Sequence, residues 1–334
     1  MTILIRWVVV AVLLGHGLLH LLGVAKGFGW AEIPQLKNPI GPGNGVVWLL
    51  AAVLVLGSAA LIATQGPRVV VGRRRTRRRG LAGRDRTSWS DAKYGTAVNL
   101  ILILAALYGY ASLGPSSFHE QFHDQARAAM TDARAVPRSL VTEQDLADLP
   151  EPLAAYLRRS GAVGKPRVMS LSVQFHGRIR SGPGQEWMPF TGEQLNTYGP
   201  RPQRVFIMDA TRSGLPVTVL HSYKDTTATM RAKVLSLFTV VNATGPEMDR
   251  GETVTVFNDL VVLAPGAITE APVRWTAVDA HHVRGRYTNG DQTVSAVLTF
   301  DADHDLVDFV SEDRLRASAD GKTFNLQTWS TPWV

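Results

Sequence analysis

The stretch MSLSVQFH, residues 169–176, sets the C-terminal half of the chain apart: Met169, Leu171, Val173 and Phe175 alternate with Ser170, Ser172, Gln174 and His176. An apolar residue at every second position buries one face and leaves the other wet, the pattern of a strand in an antiparallel sheet. Val294, Ala296, Leu298 and Phe300 repeat it. Between 283–288 and 292–300 stands Asn289-Gly290, a two-residue hairpin signal because both residues tolerate positive φ. Asp320-Gly321 and the acidic cluster at 301–305 mark further turns. Such short connections predict about nine or ten strands after Arg167, mostly antiparallel.

One segment interrupts the alternation. From 248 to 268 the apolar residues suit a helix, with Pro265 near its end, and Glu252 and Asp259 lie seven apart on one helical face. A single helix laid on a curved sheet would leave an apolar cavity between them, fit for a lipid or another apolar ligand. Upstream, 116–135 and 142–159 read as polar helices. The second starts at Thr142 with Asp145 and is broken by Pro150 and Pro152.

The N-terminal third has a different character. Residues 7–25, 46–64 and 95–114 carry no formal charge, and each is close to the ~20 residues that cross a bilayer. Trp7, Trp48, Tyr108 and Tyr110 stand near their ends, where amphipathic rings favour the interface. Between the second and third stretches, 67–86 holds nine arginines and one acid, Asp85. That loop carries +8 and the whole chain +7, so the rest is close to neutral. The basicity therefore suits a loop facing anionic headgroups in the cytoplasm and does not suit a nucleic-acid surface. Three spans with that loop inside put the N-terminus in the cytoplasm and the β domain outside it. No cysteine is present, which excludes disulfides and thiolate-ligated metals.

The expected fold is thus an α+β membrane protein. It comprises a transmembrane region over 1–114, a juxtamembrane helical linker over 115–165, and a mostly antiparallel β domain over 166–334, a curved sheet or half-barrel with one packed helix.

Three sets of residues invite chemistry. His119, Glu120 and His123 form an HExxH pattern, which on a helix can hold zinc while the glutamate activates water. The third ligand would come from His176, His221, His281, His282 or His304, none at a recognised spacing; the alternative is an exposed juxtamembrane helix. Glu252 and Asp259, with Arg314 and His221 as partners, could serve as acid and base, or could form a buried ion-pair network that docks the helix. His16 and His20 share a face of the first apolar helix and could bind a metal, relay protons or bond to a neighbouring helix. Trp187 is a further candidate for lining a ligand cavity. There is no Gly-rich phosphate cradle, nucleophile elbow or Ser-His-Asp order.

Several blocks resemble an uncharacterised bacterial multi-pass membrane-protein family known only as a domain of unknown function, the 6544 type. They are Trp187-Met188-Pro189-Phe190, Gly245-Pro246-Glu247-Met248-Asp249 through Gly251-Glu252, Asn258-Asp259-Leu260 with Ala264-Pro265, and Thr288-Asn289-Gly290 to Phe300. Asp308-Phe309, Asp313-Arg314 and the His16-Gly17-Leu18-Leu19-His20 helix complete the likeness. The resemblance assigns no chemistry; it implies a β domain similar in outline to the lipoprotein-carrier half-barrels. It also implies a tryptophan-rich helix before Trp89, where this chain has Val69-Val70-Val71-Gly72 and the arginine run, as a local frameshift would produce. It implies further strands beyond Trp333-Val334 as well, so that the domain reads as truncated. The leading expectation is a membrane-anchored module binding a lipid or other apolar ligand. Its rivals are a zinc-dependent membrane-anchored hydrolase and a non-catalytic envelope interaction protein.

Overall fold

A computed structural model describes residues 3–36, 39–64, 107–135, 139–317 and 323–333. The chain divides into two compact units, 1–103 and 104–334. The arginine run at 67–86 lies outside the described residues, as does 95–106 of the third apolar stretch; 107–113 of that stretch is helical.

In the first unit, α1 (Ile3–Gly27) and α2 (Pro42–Thr64) are each long and apolar enough to cross a membrane. They pack on one another through small residues. A Cβ on Gly23 would strike the Trp48 ring, and one on Gly27 would meet the backbone of Gly45. Small residues let apolar helices approach closely where no hydrophobic force drives them together. His20, buried, lies with its ring centroid 5.2 Å from that of Trp48 and 4.7 Å from that of His16.

The second unit is built on two antiparallel sheets. The first is a meander of β1 (Ser170–Ile179), β2 (Met188–Thr197), β3 (Gln203–Arg212), β4 (Leu215–Lys224), β5 (Thr227–Val234) and β6 (Phe238–Thr244). The second orders β7 (Val273–Ala277), β8 (His282–Asn289), β9 (Gln292–Phe300), β10 (Leu306–Ser311) and β13 (Trp329–Ser330) as β13-β10-β9-β8-β7. β11 (Leu315–Ala317) and β12 (Phe324–Leu326) form a small hairpin. Asn289 and Gly290 make the turn between β8 and β9, with Gly290 at φ +56°.

Both faces of the first sheet are covered in its middle. Helix α3 (Phe118–Arg134) sets Phe118 and Phe122 on Val205, Ile207 and Leu220. Helix α5 (Pro246–Leu263) lies against the other face, and its remaining sides pack on the second sheet. Twelve of its eighteen residues are buried, so the helix expected to lie on one sheet is the core of the unit. Short α4 (Glu151–Arg159) closes that core through Leu153 and Leu157.

Candidate functional site

A helix buried on every side can keep polar side chains only where partners meet them. Glu252 and Asp259 lie two turns apart on α5, roughly 10 Å along its axis, and are almost inaccessible to solvent. Their common partner is Arg204 on β3, equally buried. Its Nη1 donates to Glu252 Oε1 at 2.5 Å, its Nε to Asp259 Oδ2 at 2.8 Å and its Nη2 to Gln194 Oε1 at 2.7 Å. A planar guanidinium fork can meet two carboxylates and an amide at once; a lysine could not. Asp259 Oδ2 also accepts from Gln194 Nε2 at 2.8 Å and Asn196 Nδ2 at 3.0 Å.

The sheet register explains the grouping. Asn196, Arg204 and Tyr223 are successive cross-strand partners on β2, β3 and β4, and Gln194, Phe206, His221 and Met230 form the next row. Both rows face α5. The second carboxylate oxygen of Glu252 is buried without a hydrogen bond among the described residues. Its nearest basic atoms are His221 Nδ1 at 3.3 Å and Arg314 Nη1 at 4.0 Å.

Burial works against ionisation of Glu252, but the Arg204, His221 and Arg314 charges outweigh it and hold the carboxyl well below its usual range. At Asp259 burial wins and the carboxyl is pushed up. Burial also lowers Arg314. That guanidinium donates through Nη1 to Gly251 O at 2.5 Å and to Thr255 Oγ1, and stacks 4.5 Å over the Trp329 ring.

Beside His221 and Arg314 opens a cavity of about 470 Å³. Met230, Met248, Leu315 and Trp329 supply apolar wall, and His221 and Arg314 supply charge. The indole N–H of Trp329 is buried without an acceptor among the described residues. Asp259 lies on the far side of Arg204 and does not line the cavity. Trp187 does not line it either: about half exposed on the β1–β2 hairpin, it stacks under Arg180, which does reach the cavity.

The HExxH segment is a different matter, and the zinc expectation is overturned. Among the described residues no three His, Cys, Asp or Glu side chains are placed to hold a metal. His119 Nε2 is bonded to Asp209 Oδ2 at 2.8 Å, and that hydrogen bond holds the imidazole above its ordinary pKa against the effect of burial. Glu120 pairs with Arg127 at 3.3 Å, and His123 stacks edge-on to Phe122. The helix docks through its phenylalanines, and its polar residues make surface pairs.

Of the sequence candidates, the structure brings Glu252, Asp259, His221 and Arg314 into one network and leaves His119, Glu120 and His123 on another face of the sheet. Arg204, Gln194 and Asn196, the residues that complete the network, carry no sequence signal. They alternate with Leu195, Val205 and Ile207 and read as a solvated face. Trp329 carries no such signal either.

Residues 139–334 match the model of a family described as a family of unknown function (DUF6544), and the chain belongs to it. No curated protein and no solved structure matches.

Proposed function

We propose that this member of the family is a membrane-anchored binding protein, and that its β domain holds an amphipathic molecule with an acidic headgroup in the cavity beside α5. The observation that carries the proposal is the pairing of a largely apolar wall with three basic side chains, Arg180, His221 and Arg314. The volume suits one small ligand. Glu252 holds His221 and Arg314 in place, so an incoming anion meets a preorganised site and not a flexible lysine. Asp259 and Arg204 fix the helix behind it, and Trp187 buttresses Arg180 at the cavity mouth.

The half-barrel outline belongs to the same proposal, with α5 filling the inner face of the six-stranded meander and the cavity opening beside it. α1 and α2 supply the anchor, and the arginine loop at 67–86 lies against anionic cytoplasmic headgroups. With three spans the β domain is extracytoplasmic.

Native mass spectrometry of the full chain released gently from detergent tests the proposal. An acidic amphiphile is expected to co-purify and to be lost in Met230→Trp, which fills the cavity and replaces no charged member of the network. Circular dichroism of the variant should be unchanged. No co-purifying mass, or one retained by a folded Met230→Trp, overturns the assignment.

A further inference from the structure

The outer face of the second sheet carries a feature that neither packing nor the cavity explains. Arg274 on β7 and Arg286 on β8 are direct cross-strand partners, and Arg284 sits one pleat along, opposite Thr276. All three side chains are exposed. Like charges placed directly opposite in a sheet repel, and an acidic residue at either position would serve the fold better. Among the described residues no carboxylate pairs with any of the three. The local acid, Asp313, is committed to Arg250 and to the backbone N–H of Ser295. Together the four arginines and the hydroxyls of Thr276 and Ser295 line a depression of about 480 Å³.

We infer that this face docks on a bilayer surface rich in anionic phospholipid. Guanidinium forks flanked by hydroxyl donors are suited to phosphate oxygens. The choice of a lipid surface rests on the anchoring proposed above. Tethering beside a bilayer makes a patch of a few weak electrostatic contacts effective, whereas a free soluble partner would demand tighter ones. Docking would hold the domain at the membrane from which an amphipathic ligand is drawn.

The chain has no cysteine, so a single fluorophore can be placed at Val278→Cys in the full-length protein, an exposed position near the patch that does not line it. The labelled protein is reconstituted into vesicles of phosphatidylcholine alone, or with about one-third phosphatidylglycerol, each containing a headgroup-spin-labelled phosphatidylcholine. Quenching is expected to be at least about twofold stronger with phosphatidylglycerol and to fall to the neutral-lipid level in high salt. The Arg274→Gln/Arg284→Gln/Arg286→Gln variant should show that same low level with an unfolding midpoint no lower than the parent's.

Equal quenching in both lipids overturns the inference and leaves the patch to an acidic protein. So does full quenching in the triple variant, or a clear fall in its midpoint, which would make the arginines structural. Retention of the chain in the vesicles after a carbonate wash reports anchoring separately, so a failure of docking is not confused with a failure of the anchor.

Discussion

Helices α3 and α5 flank the same sheet, and each carries a sequence pattern that suggests chemistry. On α3 the pattern is His119, Glu120 and His123; on α5 it is Glu252 and Asp259. The α3 pattern is the more specific of the two, since it copies a metalloprotease spacing, yet its members are dispersed into separate surface pairs. The α5 pair reads as two ordinary carboxylates, yet it organises a network across three strands. Burial makes the difference. On an amphipathic helix that docks through Phe118 and Phe122, polar groups keep their water and owe nothing to one another. On a helix enclosed by two sheets, every charge must be met by protein, and the partners are fixed as firmly as the fold.

The strongest way to break that contrast is to remove the cation that α5 depends on. Arg204→Met leaves Glu252 and Asp259 without their shared cation in a dry interior. It should cost about 4 kcal/mol, because deleting one member of a buried set strands the rest. In a domain of this size that is roughly 10 °C in the thermal midpoint. Arg204→Lys should recover only part of the loss, since an ammonium cannot span both carboxylates and Gln194. A midpoint within a degree or two of the parent's for Arg204→Met would mean that α5 is held by its apolar contacts alone.

The same contrast explains what could be read in advance. The alternation at 169–175 lies in β1 from Ser170 on, the Asn289-Gly290 turn joins β8 and β9, and the helix at 248–268 appears as α5 followed by a 3-10 turn at Pro265–Glu270. These are local signals, carried by period and turn chemistry. His221 and Arg314, named among the basic residues as partners of Glu252, do lie beside it. Arg204, Gln194 and Asn196 could not be read in advance. A period of two says that two faces differ; it does not say that the polar one is wet. Here the face carrying Arg204 is covered by α5, a non-local fact. The zinc expectation failed for the converse reason: helical spacing places two histidines together, but nothing in the chain brings a third ligand to them among the described residues.

A smaller effect should appear in the pH dependence on the α3 side. The hydrogen bond to Asp209 raises the His119 pKa in the folded protein, so the imidazolium contributes stability that is fully present below the ordinary histidine value of 6.5. That contribution is lost as pH rises through the raised folded value. The pair is partly exposed, and screening keeps its worth under roughly 1 kcal/mol. Asp209→Asn should therefore flatten the stability profile above pH 6.5, most visibly at low salt. An unchanged slope in the variant would assign the titration to another histidine and leave α3 docked by its phenylalanines alone.

The smallest effect sharpens the comparison most, because it is predicted to be nil. Glu120→Gln removes a carboxylate whose partner, Arg127, also reaches Asp124 on the same helix, so the guanidinium keeps a counter-charge. Asp124→Asn removes the other carboxylate of that exposed trio and leaves Phe122 in place on Val205 and Ile207. The double variant should unfold at the parent's midpoint within experimental scatter, and equimolar zinc should shift neither protein. Zinc-dependent stabilisation of the parent that vanished in the variant would mean that α3, like α5, holds charged groups together for a purpose. The difference between the two helices would then lie in their ligands rather than in their burial.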